Sequence, residues 1–324
     1  MPKPYHHLTD EQRCQIEALK RRRLSNTAIA CQLGVDRATV GREIKRNRVR
    51  GGYRGKSARA KAAERRATAS AYPRKMTRAL LALIEEKLTD EQWSPDQISG
   101  WLVKAGHGAI SAEAIYRHIW LDKKKGGMLH THLRHGGKKY NKRKGKYTWR
   151  GIIPGRIDID QRPAIVNEKS RIGDWEGDTI AGSNHQSALL THVERHSKLT
   201  RLHKLFAATA PNTTAATVQD LRTDKDKVLT ITYDNGKEFA GHKRIAELLN
   251  AAVFFAKPYH AWERGLNEHT NGLVRQYFPK GTDFANVSDQ DIALVEKKLN
   301  NRPRKVLAYA TPFEVFQNAS HSQS

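Results

Sequence analysis

Along the first 120 residues apolar positions recur three and four apart, and beyond residue 160 they gather into short runs that read as strands. Leu8–Arg22 carries Ile16 and Leu19 at helical spacing. Ser25 stands as N-cap of a helix through Leu33, with Ala28, Ile29 and Leu33 as its apolar stripe. Gly34 ends that helix in a tight turn. Asp36 caps another helix, with Val40 and Ile44 inward and Arg37, Arg42, Lys45 and Arg46 outward. Helix, short glycine turn and basic helix together predict a helix-turn-helix.

Residues 51–75 are basic and alanine-rich, with one helix expected near Ser57–Thr68. The next stretch repeats the earlier theme. Leu80, Leu81, Ile84 and Leu88 form a stripe, and Ser94 caps a helix with Pro95 at its first position. Ser111 then caps a second candidate recognition helix, with Ile115 and Ile119 inward and Glu113, Tyr116 and Arg117 outward. Glycine and lysine interrupt every period over 121–150, which reads as a basic linker. His130, His132 and His135 fall there without an accompanying carboxylate or cysteine, so a metal site is the weaker reading. The later runs IGDWEGDTIAG, SALLTHVER, LTRLHKLF, KVLTITYDN and AAVFFA read as strands. Helices are expected near Thr213–Arg222, Lys243–Leu249, Glu263–Tyr277 and Ser288–Asn300, an α/β order with a mixed sheet.

Charge sharpens the division. The net charge is +25, yet residues 1–150 carry 35 Lys and Arg against 13 Asp and Glu, and residues 151–324 carry 23 against 20. A basic excess confined to one half points to a polyanion partner for that half. Nucleic acid fits, because phosphate neutralisation supplies most of its binding free energy. A membrane surface fits less well, since no amphipathic helix with Trp or Phe anchors accompanies the basic runs. Arg37, Thr39, Arg42, Lys45, Arg46, Tyr116 and Arg117 are the candidate DNA contacts. No apolar run approaches the length of a membrane span, the N-terminus has no apolar signal core, and a cytoplasmic location is expected. Cys14 and Cys31 sit far apart, which excludes a disulfide framework and a zinc pair.

The second half places carboxylates where a fold could gather them. Asp178 lies on the first strand, Asp234 just past the fourth, and Glu268 in a helix. Close carboxylates repel unless a divalent cation joins them. Two such ions stabilise the attacking and leaving oxygens of an in-line phosphoryl displacement. Taken singly, Asp-Asn-Gly is also a common turn and Glu a common helical residue, so the residues alone leave both readings open.

WEGDTI, DNGKEF, PYHAWERGLNEHTNGLVRQYFPKG and NNRPRKVLAYATPFEVF, together with SNTAIACQLGVDRATVGREIKRN near the start, resemble the motif blocks of DDE transposases of the insertion-sequence thirty (IS30) family, which carry a retroviral-integrase-like core. The resemblance covers nearly the whole chain. It implies a multidomain protein, an all-α helix-turn-helix N-terminal half joined to an α/β RNase H-like catalytic domain. It maps the catalytic, metal-holding triad onto Asp178, Asp234 and Glu268, with two Mg²⁺ ions for which Mn²⁺ substitutes. Tyr233 departs from the pattern, standing before Asp234 where a small residue is common. Asn271 and Arg275 share a helix face with Glu268 and are expected to position DNA or metal and to clamp a phosphate. The implied partners are double-stranded DNA, as terminal inverted repeats and target, and further copies of the chain, at least a dimer on DNA. The expected organisation is a helix-turn-helix domain over 1–50, a basic linker and helix over 51–75, and a second helix-turn-helix-like domain over 76–120. A basic linker over 121–160, the catalytic domain over 161–318 and a tail follow. A DNA-binding regulator with an inactive core, or a metal nuclease that cuts without joining, are the alternatives.

Overall fold

The computed structural model describes residues 7–71, 76–134, 153–183, 186–257 and 265–319, in two compact units that comprise residues 1–77 and 78–324. The first unit contains α1 (Asp10–Arg21), α2 (Asn26–Leu33), α3 (Arg37–Asn47) and α4 (Gly55–Ala71). The caps stand where the sequence puts them. Ser25 Oγ accepts from the Ala28 N–H at 3.2 Å, the Asp36 carboxylate accepts from the Ala38 N–H at 2.7 Å, and Gly34 turns the chain at φ 63°. Leu8, Ile16, Ile29, Ala30 and Val40 close the core. Arg13 of α1 is buried and pairs with Glu43 of α3 at 2.9 Å. The fourth helix is longer than expected. It starts at Gly55, whose N–H donates to the Glu17 carboxylate at 2.7 Å and whose missing side chain lets it lie on the α1 backbone.

The second unit opens with α5 (Arg78–Thr89), α6 (Pro95–Lys104) and α7 (Ala112–Lys124). Ser94 and Gln97 form a capping box, Pro95 takes the first position, and Ser111 caps α7. Ile84, Leu88, Ile98, Leu102, Ile115 and Ile119 are buried between these helices. Ordered structure continues past residue 120, where the sequence suggests a linker. The seventh helix runs to Lys124, and the carboxylate of Asp122 then accepts from the Leu129 N–H at 3.1 Å, starting a 3₁₀ turn over Leu129–His132. That turn holds His130 and His132, whereas His135 lies outside the described residues.

A five-stranded sheet follows, made of β1 (Asp174–Ala181), β2 (Ala188–Glu194), β3 (Thr200–Leu205), β4 (Thr230–Tyr233) and β5 (Ala252–Phe255), preceded by the single turn α8 (Ile165–Glu168). The strand order is β3-β2-β1-β4-β5, with β1, β2 and β3 antiparallel and β4 and β5 parallel to β1. Successive strand residues face opposite sides, so each face has its own core. Trp175, Leu190, Ile231, Tyr233 and Phe255 pack with α9 (Ala210–Leu221), α10 (His242–Leu249) and Phe316. Ile180, Leu189 and Leu202 pack with α11 (Gly265–Tyr277) and α12 (Asp289–Asn300). A mixed sheet clad on both faces is the α/β arrangement expected. The final helix, α13 (Pro312–Asn318), is missing from the sequence-based reading, although Thr311, Pro312 and Glu314 supply a full N-terminal signature.

The helical trio is fixed to the sheet layers. Gly100 of α6 faces the Tyr309 ring so closely that a methyl group there would overlap it. Lys104 reaches Glu314 at 3.3 Å, and Lys298 Nζ donates to the Asp90 carbonyl at 2.9 Å.

Candidate active site

Asp174, Glu176 and Asp178 alternate along β1 and share the face that α11 covers. The structure separates three residues that the sequence could not rank. Asp174 is fully buried, takes Arg171 Nε and Nη2 at 3.0 and 3.1 Å, and accepts from Thr230 Oγ1 at 2.8 Å. Glu176 is buried as well. It is paired with Arg195 and accepts from the Asn267 N–H at 3.2 Å. Asp178 is half-buried, and its Oδ2 accepts from Asn271 Nδ2 at 2.7 Å. The amide oxygen of Asn271 in turn accepts from Thr191 Oγ1 at 3.1 Å, which fixes how the amide is presented.

Parallel pairing aligns β1 with β4. Asp174 is in register with Thr230 and Glu176 with Thr232, and Asp178 and Asp234 each follow two residues further along the chain, Asp234 just past the end of β4. Asp234 follows the last residue of β4, and its Oδ1 accepts from the Gly236 N–H at 2.9 Å, closing the Asp-Asn-Gly turn. Asn235 Nδ2 donates to the Ala256 carbonyl at 2.6 Å and ties that turn to the end of β5.

Tyr233, the departure from the family pattern, is accommodated from the neighbouring strand. Its ring is fully buried, stacks on Phe239 with centroids 4.1 Å apart, and occupies the space that a side chain at position 177 would need. Gly177 is therefore the counterpart of Tyr233, and it lies directly before Asp178. Gly177→Ala is expected to destabilise the protein by about 1–3 kcal/mol, the usual cost of overpacking. It should also lower DNA cleavage more than DNA binding. A thermal midpoint equal to wild type, with full cleavage, would contradict this packing.

Glu268 is exposed in the first turn of α11, three residues before Asn271 and on the same helix face. Among the described residues no three His, Cys, Asp or Glu side chains converge on one point. Asp178 thus lies on β1, Asp234 just past β4, and Glu268 on the helix that covers this face. Glu263 lies outside the described residues. Arg275 is engaged at the far end of the same helix, donating to the carbonyls of Ala181 at 2.9 Å and Pro279 at 3.1 Å. Sequence reasoning missed Arg195 and Asn267 as the groups that seal Glu176. Their separation along the chain leaves no local signal.

In the first unit Arg37, Arg42, Lys45 and Arg46 are exposed on α3 and Thr39 is half-buried. Thr39, Arg42 and Arg46 line a groove of about 900 Å³ that also takes Arg65 and Arg66 of α4. On α7, Arg117 is exposed and Tyr116 half-buried.

Residues 4–47 match the family model described as a helix-turn-helix domain. The transposase for insertion sequence element IS4351 of Bacteroides fragilis is 46% identical over 319 residues, covering 98% of each chain. The chain belongs to the IS30 family of insertion-sequence transposases. Transposase InsI for insertion sequence element IS30A of Escherichia coli (strain K12) is 32% identical over 322 residues, covering 96% of this chain and 83% of that one. Among solved structures, the catalytic core domain of BIV integrase aligns with 46% of this chain and 97% of its own, at 19% identity and a TM-score of 0.37. The transposase carries a helix-turn-helix domain in its first unit and a mixed five-stranded sheet in its second. No helix among its described residues is long and apolar enough to cross a membrane.

Proposed function

We propose that this transposase binds the terminal inverted repeats of its element through α3 and α7, and cleaves and joins DNA at a centre made of Asp178, Asp234 and Glu268. The observation that supports the reading is the parallel register of β1 and β4, Asp174 against Thr230 and Glu176 against Thr232, from which Asp178 and Asp234 each follow by two residues. The donor set fits Mg²⁺, with Mn²⁺ substituting. Mg²⁺ takes one or two carboxylates and leaves positions for water and phosphate oxygens, and both aspartates are partly open to solvent. Asp178, Asp234 and Glu268 would hold two such ions, which supply charge at the attacking and leaving oxygens when bound.

The protein's own groups have distinct tasks. Asn271 holds the Asp178 carboxylate in place through its 2.7 Å hydrogen bond. The Asp-Asn-Gly turn does the same for Asp234. Glu268 is presented from α11, which packs on the same face. In the first step water attacks a phosphodiester at the element's end, and the 3′-oxygen leaves as a hydroxyl. In the second that hydroxyl attacks another phosphodiester, forming one P–O bond as one breaks. Holding two ends together calls for at least two chains, acting in the cytoplasm on double-stranded DNA.

The test is incubation of the full-length protein with labelled inverted-repeat ends and Mg²⁺, followed by mapping of nicks and joints. Joined ends that vanish with a chelator are expected. Nicks without joints would make the protein a nuclease, and DNA binding with neither would make it a regulator. Arg42 lies on the outward face of α3, where arginine can pair with a guanine edge. Arg42→Ala is expected to cost about 1–3 kcal/mol on inverted-repeat DNA and less on random DNA. Equal losses on both would make it a phosphate contact.

A further inference from the structure

We infer that a cationic pocket beside the first turns of α11 binds backbone phosphate of the DNA strand that lies across the carboxylates. The inference rests on the transposase reading above and extends it to a surface with no assigned role. The pocket has a volume of about 990 Å³ and takes residues from the segment before β1, from the β2–β3 connection, from α11 and from the Asn-Arg-Pro-Arg run after α12.

Its charge is unbalanced. Of the lining carboxylates, Glu176 is paired with Arg195, and Asp160 is held by Lys257 at 2.6 Å. Among the described residues Lys169, Lys198 and Arg304 have no carboxylate within ion-pair distance, and all three line the pocket. Arg304 is 8% exposed, and its Nε is buried with no hydrogen-bond partner, while one Nη donates to the Leu299 carbonyl at 3.1 Å. A buried guanidinium nitrogen left without an acceptor costs free energy that an anion would return. Burial, then Arg302 and Arg134, push Arg304 down to about 9, and burial, then Lys169, push Lys198 down to about 8. Both shifts have the sign that an incoming anion reverses.

Position selects the anion. Glu176, in the pocket wall, precedes Asp178 by two residues on the same strand face, about 7 Å along the strand. A DNA strand carries one charge per roughly 3.4 Å of axis, so a strand with its reacting phosphate at Asp178 brings a neighbouring phosphate to the pocket. Leu266 and Val306 add apolar wall that a sugar can cover.

Arg304→Gln is the direct variant, but its burial threatens the fold. Lys169 and Lys198 stand at φ 54° and 66°, a region that asparagine tolerates, so the double variant Lys169→Asn/Lys198→Asn removes two charges without adding strain. The measurement is the salt dependence of binding by the full-length protein to labelled inverted-repeat and random duplexes. The log–log slope is expected to become shallower by about 0.9 for each phosphate that the variant no longer neutralises, equally on both duplexes. Lys297→Gln, at an exposed position of α12, should leave it unchanged. A folded double variant with the wild-type slope overturns the inference. So does a result in which inorganic phosphate raises the thermal midpoint of wild type but not of the double variant while the slope stays the same, since the pocket would then serve a free anion. Wild-type cleavage in Mg²⁺ is run alongside. If it is present while the slope is unchanged, only the pocket fails, and if it is absent, the catalytic reading fails.

Discussion

Cleavage and strand transfer in Mg²⁺ are expected to collapse in Asp178→Asn, Asp234→Asn and Glu268→Gln proteins that still fold and still bind the element's ends. Each swap keeps shape and removes the charge that a divalent cation requires. Loss of groups that merely support metal ligands costs about 10–100-fold, so loss of a ligand should exceed that range. Asp174→Asn provides the contrast. Asp174 is fully buried against Arg171 and Thr230, so its variant should melt earlier yet retain chemistry at temperatures where it is folded. Cleavage rates and thermal midpoints of matched proteins decide the matter. Full activity from Glu268→Gln would move the third ligand elsewhere, and an inactive but folded Asp174→Asn would extend the centre along β1.

Arg195→Met is the variant expected to damage the fold most. It leaves the Glu176 carboxylate buried and without its cation, a situation that costs about 3–5 kcal/mol. In a unit of this size each kcal/mol lowers the thermal midpoint by roughly 2–4 °C, so a fall of about 6–20 °C should follow. Adding Glu176→Gln removes the stranded charge and should restore much of the loss. A midpoint for Arg195→Met within two or so degrees of wild type, on the order of experimental scatter against that fall, would mean that the pair contributes little.

The helical elements were the most legible part of the chain because their signals are local. Ser25, Asp36, Ser94 and Ser111 each cap a helix within three residues of themselves. Strand runs were equally visible, and the order of strands and helices gave the mixed sheet. What stayed hidden depends on residues far apart. Nothing near Gly177 in sequence says that the Tyr233 ring needs its space, and nothing near Glu176 names Arg195 as its partner. Asp174, Glu176 and Asp178 share a strand face, and only burial and partners separate them. The family motifs selected Asp178, Asp234 and Glu268 together. In the structure Asp178 stands on β1, Asp234 just past β4 and Glu268 in the first turn of α11. The α5–α7 trio read as a free-standing module because its caps and stripes are complete in themselves. Its attachment to the sheet layers runs through Gly100 and Tyr309, more than two hundred residues apart.

If α7 grips DNA as proposed, that attachment would make the second unit a ruler. With the Tyr309 ring seated on Gly100 and the Lys104–Glu314 and Lys298–Asp90 contacts beside it, α7 is held at a set offset from the end of β1. DNA gripped by α7 would meet the carboxylates at a fixed number of base pairs from the grip. The protein's own rigid span, rather than any sequence at the cut, would then dictate where the element ends.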